Sequence, residues 1–123
     1  MAKYFIEEIS WSLYYDFQRD LILLDVDTPV FLTTPYDTLD NAKKAVEELV
    51  AKNMFDVESF RDIMARNKNF NHEHVMEYVI ITCEIEQEGN IDSKYLQENY
   101  ENIDGYLSYM AVPPEMNDII TLF

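Results

Sequence analysis

The sequence predicts an α+β fold: a small antiparallel sheet, formed by an N-terminal hairpin and a central strand over residues 75–88, with three helices packed mainly on one face. Three patterns predict it. Ile9, Trp11, Leu13, Tyr15 and Phe17 alternate with Ser10, Ser12, Tyr14 and Asp16, the period of two that marks a half-buried strand. Val79, Ile81, Cys83 and Ile85 alternate in the same way with Thr82, Glu84, Glu86 and Glu88. Leu39, Ala42, Val46, Leu49 and Val50 instead recur at helical spacing.

In chain order, the strand from Ile9 turns at Gln18-Arg19-Asp20 into a second strand over 21–27, its hairpin partner. Pro29 interrupts the chain, and Val30-Phe31-Leu32 resumes as a short third strand before Pro35. Asp37 or Thr38 caps the first helix, where Lys43–Glu47 and Lys44–Glu48 are spaced as i,i+4 ion pairs. Asp56 caps a second helix with Val57, Phe60, Ile63 and Met64 as its apolar stripe, ending at Asn67-Lys68-Asn69. After the central strand, Gly89-Asn90 turns the chain. Asp92 caps a third helix whose buried stripe is Leu96, Tyr100, Ile103 and Leu107, with Ile91 as a hydrophobic staple. Pro113-Pro114 stops any helix, and residues 119–123 suit an edge strand or a docked tail. One face of such a sheet is expected to meet solvent.

A chain of 123 residues has room for one domain, spanning 1–123. Hydrophobic residues make up 48% and aromatics 14%, enough material for a core, which argues against intrinsic disorder. Cys83 is the single cysteine, so an intramolecular disulfide and a cysteine-based zinc site are excluded. No apolar run approaches the length of a membrane span, and the N-terminus lacks a signal pattern; a bacterial cytoplasm is the expected location.

Charge is the outlier. The chain holds 24 acids and 9 Lys or Arg, a formal net charge of −15, whereas solubility asks for about 2 to 8 units. Residues 69–123 carry 11 acids and only Lys94. Such a field repels nucleic acid and anionic membranes and attracts basic surfaces.

The candidate partner-binding residues follow from that imbalance. Glu84, Glu86 and Glu88 project from one strand face at about 6.8 Å intervals, close to the spacing of successive backbone phosphates. Asp25 and Asp27 repeat the device on another strand, and Glu98, Glu101 and Asp104 add charge at helical i,i+3 steps. Tyr95 and Tyr106 offer exposed aromatic area able to stack under Arg or Lys, whereas Tyr100 belongs to the core. Exposed strand positions are often glutamate for solubility alone, so the row gains meaning only with the charge imbalance around it.

Catalytic signatures are absent. With only Gly89 and Gly105, the chain cannot build a Walker A loop, a dinucleotide fingerprint or a nucleophile elbow, and no enzyme activity or cofactor is expected. His72-x-His74 with Glu73 and Glu77 nearby could start a metal site, but no third soft ligand stands close in sequence.

In size, acidity, scarcity of glycine and α+β organisation, the chain resembles phage-encoded anti-defence inhibitors: anti-CRISPR, antirestriction and uracil-DNA glycosylase inhibitor proteins. The stretch from Val30 through Thr38-Leu39-Asp40-Asn41-Ala42-Lys43-Lys44 is similar to the strand-then-helix start found in small phage proteins. The resemblance implies an acidic inhibitor that blocks the nucleic-acid-binding surface of a bacterial defence nuclease, such as a CRISPR effector, by DNA mimicry or by charge complementarity. The same physics suits an immunity or antitoxin-like protein that neutralises a basic toxin; a small metal-dependent enzyme is the third reading.

Overall fold

A computed structural model describes residues 2–16, 21–56, 73–85, 91–103, 105 and 107–112. In chain order the elements are β1 (Ala2–Asp16), β2 (Leu21–Val26), β3 (Val30–Tyr36), α1 (Leu39–Lys52), β4 (Glu73–Glu84), α2 (Ser93–Asn99), β5 (Tyr100–Asn102) and β6 (Ser108–Met110). All strand pairings are antiparallel.

The long strands β1 and β4 form the middle of the sheet and pair without a break from Ala2↔Glu84 to Leu13↔Glu73. β1 begins at Ala2, seven residues before the alternation at Ile9 becomes visible. The reason is that neighbouring residues there are both buried: Phe5 and Ile6 are 0% and 1% exposed, on opposite faces. A strand covered on both sides loses the period of two.

Each outer edge is one ribbon in two pieces. Beyond β1 lie β2, paired with residues 11–16, and β3, paired with residues 4–8. The Asp27 backbone N–H donates to the Ser10 carbonyl at 2.9 Å and carries the pairing toward Pro29. A register shift at Tyr4/Ile6 accommodates Pro35, which has no N–H to give the ladder. Beyond β4 lie β5 and β6, joined through Gly105 at φ +89°.

Odd-numbered residues of the middle strands (Phe5, Ile9, Val79, Ile81, Cys83) pack with Phe31 and with Leu96 of α2. Even-numbered ones (Ile6, Tyr78, Ile80) pack with Ala42 and Val46 of α1. The two helices therefore cover opposite faces, which corrects the expectation of three helices on one face and of an open opposite face. The described residues contain two helices, and the helix expected from Asp56 lies outside them apart from its cap.

The third expected helix is the shorter α2. Asp92 caps it, accepting from the Tyr95 N–H at 2.8 Å, but it stops at Asn99, and Tyr100 turns extended at φ −73°, ψ 156°. A helix of seven residues has little stability of its own. Here Tyr100 gains a place opposite Cys83 on the free side of β4 and packs its ring 5.2 Å from Phe31. Thr38 caps α1, accepting from the Asn41 N–H at 3.1 Å.

Candidate partner-binding surfaces

The described candidate carboxylates on the strands reach the surface at two separate places. At the end of the sheet where β1 begins, Glu84 is exposed opposite Ala2, and Glu101 is exposed opposite Thr82. Paired residues share a face, so Glu84 and Glu101 are diagonal neighbours on the α1 side. Glu98 is exposed on α2, against the other face, so the helical i,i+3 step expected to join it to Glu101 does not exist. Tyr95 is 36% exposed and is anchored rather than loose, because its hydroxyl donates to the Glu84 carbonyl at 3.0 Å. Lys3 makes an ion pair with Asp37 nearby, leaving most of the Asp37 carboxylate in solvent.

The field of this end is felt inside the protein. Burial pushes the Cys83 thiol above its ordinary pKa, and Glu84 and then Glu101 push it further the same way. Cys83 is 1% exposed and behaves as a core residue, as its place in the apolar alternation implied.

Asp25 and Asp27 stand elsewhere. Asp25 is exposed opposite Ser12, and the Ser12 hydroxyl donates to Asp27 at 3.3 Å. His74 Nδ1 lies 3.9 Å from the Asp27 carboxylate and 3.3 and 3.4 Å from the hydroxyls of Ser10 and Ser12. At about 3.3 Å per residue, Ser12 lies roughly 33 Å along β1 from Ala2. The two groups therefore share the α1 side of the sheet but do not form one continuous row. Between them, α1 balances Lys43, Lys44 and Lys52 against Asp40, Glu47 and Glu48.

Glu86, Glu88, Asp104, Tyr106 and His72 lie outside the described residues. Among those described, no group of three or more His, Cys, Asp or Glu side chains is placed to hold a metal ion, and His74 has serines and one aspartate as its polar company.

Two features escaped the sequence reading. On the α2 side, the nearly buried Glu77 accepts from the Trp11 indole N–H at 3.0 Å and from the Ser108 hydroxyl. Burial, and secondarily the charge of Glu77, raise the pKa of Glu7 beside it. A glutamate between Val75 and Val79 on an otherwise apolar strand face was the available signal. The second is an apolar groove between the C-terminal half of α1 and β6, built from residues too far apart in sequence to betray it.

Comparison with protein-family models, with curated proteins and with solved structures found no match. Among the described residues, no helix is long and apolar enough to cross a membrane.

Proposed function

We propose that this protein is an acidic inhibitor that seats its carboxylates against the basic, nucleic-acid-binding surface of a partner protein, a bacterial defence nuclease of the kind that anti-CRISPR proteins block. The excess of 15 negative charges on 123 residues carries the reading. The exposed Glu84, Glu98 and Glu101 around one end of the sheet give that charge a place to act. A channel built to grip a guide–target duplex is lined with cations, and opposite charge steers association. Asp25 and Asp27, roughly 33 Å away along β1, supply a second point of contact rather than an extension of the first. Glu86, Glu88 and Asp104 lie outside the described residues and enter the reading through their charge alone.

The test starts from a pull-down out of bacterial lysate, followed by inhibition assays on the retained enzyme. The triple charge reversal E84K/E98K/E101K is expected to weaken inhibition at least about tenfold, and D25K/D27K by less. Raising the salt above about 0.15 M is expected to weaken the parent protein and to leave the triple variant nearly unchanged. Undiminished inhibition by the triple variant would remove the charge mechanism. Retention of a basic toxin instead of a nucleic-acid enzyme would move the protein to the immunity class.

A further inference from the structure

The groove between α1 and β6 encloses about 490 Å³ and is walled by Val46, Glu47, Val50 and Met54 on one side and by Tyr109 and Met110 on the other. A volume of this size falls in the range of binding clefts, roughly 300–1,000 Å³. Met54 is 44% exposed, a large apolar side chain held open to solvent. Met54 brings a flexible, polarisable side chain that adapts to what it touches.

The same groove runs beside a sheet edge that is open among the described residues. Among the described strands, β6 pairs with β4 alone. Leu107 and Ala111 bond to β4, through Ile80 N–H to Leu107 carbonyl at 3.0 Å and Ala111 N–H to Met76 carbonyl at 2.8 Å, while the Ala111 carbonyl accepts from the Phe55 N–H at 2.9 Å. Backbone direction alternates along a strand, so Ser108 and Met110 point their N–H and C=O groups away from β4. An unpaired edge of this kind is a template for strand addition.

We infer that this groove and edge receive an extended segment of a cationic partner protein, which adds to the sheet alongside β6. Its apolar side chains would enter the groove and a Lys or Arg would meet Glu47. Charge chooses this occupant. Among the described residues of the wall, Glu47 is the only one with a charged side chain, and it makes no ion pair with Lys43, one helical turn away. A second copy of the chain would bring another −15 charges to the contact, which opposes pairing of two β6 edges. The inference rests on the groove and the edge, and it stands or falls separately from the role of Glu84, Glu98 and Glu101.

The experiment is a titration of the full-length, isotope-labelled protein with a synthetic peptide of alternating valine and lysine, read by NMR shifts and amide exchange. A valine–glutamate peptide of the same length is the control. Shifts at Met54, Tyr109 and Met110 are expected, with slowed exchange of the Ser108 and Met110 amides, for the lysine peptide only. Glu47→Lys and Met54→Asp, both at exposed positions, are each expected to weaken binding about tenfold, and E84K/E101K by less than about twofold. Shifts confined to the Glu84–Glu101 end would overturn the groove assignment while leaving the acidic-inhibitor reading intact. Equal binding of both peptides would overturn it too, as would no shift in the groove at millimolar peptide. Sedimentation showing a dimer that Met54→Asp dissolves would assign the groove to a second copy instead.

Discussion

The two middle strands of the sheet and its two outer edges draw on similar residues and solve different problems. β1 and β4 hold one register from end to end, with side chains buried on both faces between α1 and α2. The edges are interrupted, at Pro29 and again at the Pro35 register shift on one side and at Gly105 on the other. A slip of one residue in the middle would exchange the residues facing α1 with those facing α2, so register there is strongly specified. An edge strand bonds on one side only and tolerates interruption. Apart from Tyr95 and Glu98 on α2, the described candidate contacts, Asp25 and Asp27 beside β1, Glu84 at the end of β4, Glu101 on β5 and the groove at β6, lie on an edge or at the end of β4.

The largest expected effect tests that division directly. Phe5→Ala empties a fully buried position of the middle strands and is expected to cost about 3–5 kcal/mol in denaturant unfolding. Val30→Ala, at a strand position 52% exposed on the edge, is expected to cost less than about 0.5 kcal/mol. Similar costs for the two would break the distinction between middle and edge. Gly105→Ala sharpens it from another side. An added Cβ meets nothing within 4 Å, so the change acts through the backbone alone, where φ is +89°. A loss of about 1–2 kcal/mol in the same unfolding assay is expected, against no loss if the β5–β6 joint readily adopts another conformation.

The middle of the sheet was half legible in the sequence. The alternation of Val79, Ile81 and Cys83 marks the strand, but Tyr78 and Ile80 on the opposite face are equally buried, and this two-sided burial told against an open face. The cap Asp92 was readable, and Thr38 was one of two candidates with Asp37, because a cap is a local matter of one side chain and a backbone N–H three residues on. The end of α2 was not, because Tyr100 follows a long-range choice: pairing with β4 and stacking on Phe31 outweighs the helical spacing of Tyr100, Ile103 and Leu107. Among the candidate carboxylates, composition told that they are numerous and polar alternation told that Glu84 is exposed. Their division into two groups depends on which strands neighbour β1, a property of topology that spacing does not encode.

The smallest expected effect sits where the middle strands break their own rule by carrying charge inward. Glu7 stands opposite Val79, two pairs along from Ile9 and Glu77 on the same face, and burial followed by the charge of Glu77 raises its pKa above the ordinary glutamate value. The folded protein therefore holds the Glu7 proton more tightly than the unfolded chain does. Its contribution to stability is fully present below about pH 4.5, the ordinary value, and is lost as the pH rises through the raised one. At neutral pH the ionised Glu7 is a burden, so Glu7→Gln is expected to raise stability by no more than about 0.5 kcal/mol, given the screening at a partly exposed site. The gain is expected to vanish as the pH falls below the ordinary glutamate range, in unfolding curves collected at a series of pH values. Loss of stability in Glu7→Gln at neutral pH would mean that the ionised carboxylate is held by a partner and belongs with the structural polar groups, alongside Trp11, Glu77 and Ser108.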